Sequence, residues 1–165
     1  MKRLSIVALC LAACSGTKDP VPAEQTIALD REPVTLPAAF VGTVQTESLQ
    51  ILNQGRADLT VTAVSLSELD GGPLPGADAG GFDPPLIAVD AGTISDPLPV
   101  KIGGLGAGFV QFSWGPKKAG QRTVQLTIDS DAPARPHIVT TVSGCAVPAD
   151  GGTAGCLCAD GGTGC

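Results

Sequence analysis

The sequence predicts an all-β fold, a β-sandwich of about seven short strands, and three observations carry that expectation. Glycine and proline are heavily used, at 22 and 14 of 165 residues, and no stretch combines helical length with a helical apolar stripe and freedom from these breakers. Beyond the N-terminal segment, the longest run without either residue is Arg56 to Asp70, whose Thr and Val residues alternate as in a strand. Elsewhere apolar side chains recur at every second position, and turn residues interrupt them about every 8–12 residues, the spacing of a sandwich.

The chain begins with a basic Met1-Lys2-Arg3 and a ten-residue apolar run, Leu4 to Ala13. That run is too short to span a bilayer, which needs about 20 apolar residues. It suits the apolar region of a signal peptide. Its end, Leu11-Ala12-Ala13-Cys14, resembles the lipobox of bacterial lipoproteins: an aliphatic residue, two small residues and a cysteine. The resemblance implies a signal peptide at 1–13, cleavage before Cys14, and lipid on the Cys14 sulfur. One acyl chain anchors marginally, whereas two or more anchor stably, at about 0.8 kcal/mol per buried methylene. Enteric bacteria place Asp after the cysteine of lipoproteins kept in the inner membrane. Ser15 stands there instead, so the resemblance implies the outer membrane. Residues 14–24 read as a tether that Pro20 and Pro22 stiffen and keep out of strand pairing.

A folded domain is expected over 25–145. Ile27 and Leu29 open the first strand, and Leu49, Ile51 and Asn53 share one face of the next. Asn53-Gln54-Gly55-Arg56-Ala57-Asp58 is a turn signal. Leu59, Val61 and Ala63 continue on one face, and a change of parity at Val64 and Leu66 predicts a bulge near Ala63. Glu68 to Leu98 is dense in Gly and Pro and reads as exposed loops around one short strand near Leu86–Val89. Val100–Ile102 follows as a short strand. The Gly-rich 103–108 run has no helix after it and no phosphate-binding Lys, so it reads as a connection. Val110, Phe112 and Trp114 alternate, as do Val124, Leu126 and Ile128, with a turn at Gly115–Gly120 between them. Ile138, Thr140 and Val142 close the sheet after a turn at Asp129–Pro133. Phe112, Trp114, Leu126 and Ile128 are expected to face inward on adjacent strands.

Asn53-x-Gly55 before Leu59-Thr60-Val61 resembles a hairpin of the Hydin-like, or ASH-type, immunoglobulin-like domains. So does Val110-x-Phe112, with Pro116, Gly120, Leu126-x-Ile128-x-Ser130-Asp131, Pro136 and Val142-x-Gly144 after it. In bacteria such modules occur in choice-of-anchor D proteins. The similarity spans about Gln25 to Gly144 and is strongest in the C-terminal half. Trp114-Gly115 before Pro116 and the long middle loop depart from the family pattern and alter loop surfaces. The resemblance implies an immunoglobulin-like β-sandwich of about seven strands that serves as a recognition or spacer module. It implies no catalytic residues.

Residues 146–165 form a Gly/Cys-rich tail in which Ala149–Cys156 nearly repeats as Ala159–Cys165. Such a segment cannot build an apolar core. In an oxidising compartment Cys145, Cys156, Cys158 and Cys165 should form two disulfides. Three connectivities are open, and a Cys156–Cys158 pair is sterically poor. That leaves Cys145 with one of those two and Cys165 with the other. A soft-metal site at Cys156-x-Cys158 and exchange with a partner thiol are the competing readings.

The formal charge is −6, and removal of Lys2 and Arg3 with the signal makes it −8. Charge of that sign repels phosphates, so nucleic acid is not an expected partner. The only histidine, His137, opens a strand without a nucleophile beside it in sequence, and Ser143-Gly144 is not a nucleophile elbow. The acidic residues of 68–98 lack the spacing of a calcium loop. No catalytic group, cofactor or metal is therefore expected. The expected partners are the membrane, through Cys14, and a protein or glycan of the cell envelope. The competing class is a small metal-binding or hydrolytic lipoprotein.

Overall fold

A computed structural model of the chain describes residues 23–69, 82, 86–88 and 97–150. It is all-β in these residues. The strands are β1 (Ile27–Leu29), β2 (Val34–Thr35), β3 (Ala39–Phe40), β4 (Gln45–Asn53) and β5 (Leu59–Ser67), followed by β6 (Leu86–Ala88), β7 (Val100–Ile102), β8 (Ala107–Trp114), β9 (Gly120–Ser130) and β10 (His137–Val147). They form two sheets. One has the antiparallel order β1-β4-β8-β6. The other has the order β2-β10-β9-β5-β7, with β3 also on β10. β1, β4, β8 and β6 stand where strands A, B, E and D of an immunoglobulin sandwich stand, and β5, β9 and β10 where C, F and G stand. The fold class is thus an immunoglobulin-like β-sandwich.

Period-two alternation builds the core. Leu49 and Ile51 of β4, Val110, Phe112 and Trp114 of β8, and Val124, Leu126 and Ile128 of β9 are buried, as are Ile138 and Val142 of β10. All belong to one cluster. Phe112 and Leu126 do point inward, but β8 and β9 are not neighbours. They lie in opposite sheets and face each other across the core. Alternation fixes the face of a strand; it does not say which sheet the strand joins. Gly144 of β10 leaves room for the indole of Trp114, since a Cβ there would lie 2.8 Å from the ring.

Strand number exceeds the seven expected because the first strand is broken in three and the short β7 adds to the edge of β5. β1 pairs antiparallel with β4. The chain then crosses to the other sheet, where β2 and β3 run parallel to β10. Pro33 and Pro37 flank β2, and a residue without N–H cannot continue a ladder. The bulge lies where the change of parity puts it, between Val61 and Ala63. β10 runs two residues beyond Cys145, and Ala146 is buried opposite Ala39. Within the long 68–98 segment, β6 occupies the expected place. Phe82 bridges to Trp114, and their rings stack at 5.7 Å and 23°.

The antiparallel register leaves two poles. At one lie the entry of the chain at Ala23–Glu24, the β4–β5 turn, the β7–β8 turn and the β9–β10 turn. At the other lie the β3–β4 and β8–β9 turns and the end of β10.

Candidate interaction surface

The pole where the chain enters is organised by one buried side chain. Asn53 ends β4 and, at 1% exposure, is one of two buried polar residues among those described. Its Nδ2 donates to the carbonyls of Ala57 (2.7 Å), Ile102 (3.1 Å) and Gly103 (3.2 Å). Its Oδ1 accepts from the N–H of Gly55 (3.1 Å) and, at 3.4 Å, of Thr26. One amide thus joins the entry to β1, the β4–β5 turn and the β7–β8 turn. Gly55 is required sterically: a Cβ there would stand 1.7 Å from the Glu24 carbonyl oxygen. Gly104 is likewise pressed on the backbone of Arg56, at 2.0 Å. Asn53-x-Gly55 was legible as a turn; its role as the clamp of three segments was not.

Charged contacts lock the rest of this pole. Arg135 grips Glu32 through two bonds, 2.9 and 2.7 Å, and ties the β9–β10 turn to the crossover between sheets. The hydrogen bond to Glu32 raises the Arg135 pKa above its ordinary value, partial burial works against this, and the attraction of the Glu32 charge adds to it. Asp131 accepts from the Thr60 N–H at 2.8 Å, and Gln25 Nε2 donates to the Asp131 carbonyl. His137 is exposed, with Nδ1 2.8 Å from Asp129 Oδ1, a cross-strand pair on the surface.

Of the residues singled out in the sequence, Cys14, Cys156, Cys158 and Cys165 lie outside the described residues, as does most of 68–98. Cys145 sits on β10 and is disulfide-bonded. Among the described residues no three of His, Cys, Asp and Glu are grouped to hold a metal ion, and no helix is long and apolar enough to cross a membrane.

Among the described residues, two surfaces are prominent away from these contacts. The outer face of the larger sheet carries Ser65, Gln125, Thr127, Thr141 and Ser143 around an exposed Val139. It is hydroxyl-rich, with Thr123 Oγ1 3.1 Å from Ser143 Oγ. The far pole presents Phe40 and Val44, 55% and 69% exposed, on a connection pinned by Val41 N–H to the Val147 carbonyl and Gly42 N–H to the Pro116 carbonyl. Phe82 was missed in the sequence because no periodicity surrounds it.

No protein-family model matches the chain, and no curated protein does. Solved structures do. A protein of unknown function from Porphyromonas gingivalis superposes with a TM-score of 0.52 at 12% identity, over 79% of this chain and 51% of that one. An ASH/PapD-like domain of human CEP192 gives 0.48 at 16%, over 90% and 99%. The periplasmic chaperone SfaE gives 0.47 at 11%, over 75% and 58%. The likeness is one of fold.

Proposed function

We propose that the chain is an exported lipoprotein, cut before Cys14 and anchored by lipid on that cysteine, in the outer membrane by virtue of Ser15. Its sandwich is a non-catalytic, ASH-type module that recognises or spaces a protein, or a glycan, in the cell envelope, as in choice-of-anchor D proteins. The observation that carries this reading is the order of the chain. A lipobox-like Leu11–Cys14 and a short proline-bearing tether lead directly to one pole of a sandwich. Its larger outer face is rich in hydroxyl and amide groups and poor in charge. Such a face offers many hydrogen-bonding groups to a partner. The Cys-rich tail serves as a disulfide-closed appendage.

Photo-crosslinking in intact cells tests it. A crosslinking amino acid placed at Val139 or Thr141 should give one discrete adduct, absent from the same site at Asp58. Diffuse or no adducts at every surface position, with stoichiometric zinc or copper in the purified protein, would instead establish the metal-handling class.

A further inference from the structure

The geometry points to a second membrane contact beside the lipid: the apolar tip of the β7–β8 turn, Leu105, rests in the lipid–water interface. This deepens the lipoprotein reading and rests on it. Nine residue steps separate Cys14 from Ala23, so the tether spans at most roughly 30 Å and can be much shorter. The pole reached by that tether is the one organised by Asn53. There the turn Gly103-Gly104-Leu105-Gly106 places its single large apolar residue at the tip, 62% exposed. Leu105 holds φ at 60°, a left-handed conformation that glycine adopts freely and leucine does not. Three of its four turn residues are glycine, yet the strained position carries leucine.

The tip is braced from below. Leu105 N–H donates to the Gly55 carbonyl at 2.8 Å, Gly106 N–H to the Gly103 carbonyl at 2.9 Å, and Asn53 N–H to the Gly106 carbonyl at 2.9 Å. The Asn53 amide holds the Gly103 carbonyl, and Gly55 in turn packs on Glu24. The clamp therefore fixes the tether entry and the leucine tip to one another. Phe40 and Val44 project at the opposite pole, the end away from the tether entry. Around Leu105 the exposed charges are mixed, with Arg56 and Lys101 against Glu24 and Asp58. The contact is consequently apolar and should not depend on anionic lipid or on salt.

The lipidated full chain in phosphatidylcholine vesicles carrying brominated acyl chains provides the test. Trp114 is the only native tryptophan and is buried, so it sets a constant background. Leu105→Trp should be blue-shifted on vesicles and quenched severalfold more than Val44→Trp, in low and high salt alike. Leu105→Gly should keep or raise Tm, because it relieves the left-handed strain. Equal quenching at both positions, with lipid on Cys14 verified by mass, overturns the contact and leaves the anchor standing. A lower Tm for Leu105→Gly also overturns it, since the leucine would then be structural. Absence of lipid on Cys14 removes the underlying reading, and this inference with it.

Discussion

Replacing Asn53 with alanine should destabilise the sandwich by about 3 kcal/mol. The reasoning is local. Two of its bonds, to the Ile102 carbonyl and from the Gly55 N–H, are fully buried, and a buried group left without a partner costs about 1–3 kcal/mol. The bonds to Ala57, Gly103 and Thr26 are only partly buried, so water can replace them at small cost. The loss is a large share of the roughly 5–15 kcal/mol that holds a domain of ordinary size together. Tm should fall by about 10 °C. Urea unfolding followed through Trp114 measures it, with the slope of free energy against urea unchanged. Asn53→Asp is the sharper probe. It keeps the Oδ1 acceptor but replaces the donating amide nitrogen with a carboxylate oxygen aimed at three carbonyl oxygens, so at neutral pH it should be worse than alanine. Burial and those carbonyls raise the carboxyl's folded pKa above its unfolded value. The deficit is therefore present above the folded pKa and is relieved as pH falls through it. A loss under about 1 kcal/mol for Asn53→Ala, or an Asp variant equal to alanine at neutral pH, would refute the clamp.

Phe112→Ala should cost about 3–5 kcal/mol, as for other buried aromatics, and a Tm unchanged within error would mean the ring is not part of the core. Gly55→Ala should cost about 1–3 kcal/mol through its collision with Glu24, whereas Gly103→Ala, which meets nothing within 4 Å, should be close to neutral; equal effects would refute the steric argument. Truncation after Asp150 with Cys145→Ser should leave a folded sandwich with its full thermal transition. Truncation after Cys145 should be clearly less stable, because it removes buried Ala146 and the partner of β3. If both melt alike, the end of β10 contributes nothing.

Much of the architecture could be read from alternation, and the exceptions have physical causes. β4, β8, β9 and β10 are long strands with one buried face, so Leu49, Phe112, Leu126 and Ile138 announce themselves. Even the bulge near Ala63 shows as a change of parity. β2, between Pro33 and Pro37, and β3 just after Pro37 are two residues each, too short for any period, and exist only because β10 offers an edge. The placing of β8 and β9 in opposite sheets is a tertiary decision that no single strand encodes. Asn53 looks like a turn residue in sequence; that it points inward follows from its place at the end of a buried row. Leu105 lay within a glycine-rich connection and gave no signal, because its left-handed φ and exposure are properties of the folded turn.

The proposed envelope role rests on lipid at Cys14, and mass spectrometry of the mature N-terminus tests it most directly. The protein is recovered from the membrane fraction of a bacterial host and compared with Cys14→Ser. The account predicts an N-terminal peptide beginning at Cys14 that carries two or three acyl chains, and a Cys14→Ser form without lipid that leaves the membrane in high-salt and carbonate washes. An unmodified N-terminus at Met1 or beyond Cys14, or a Cys14→Ser protein that stays with the membrane, would contradict it.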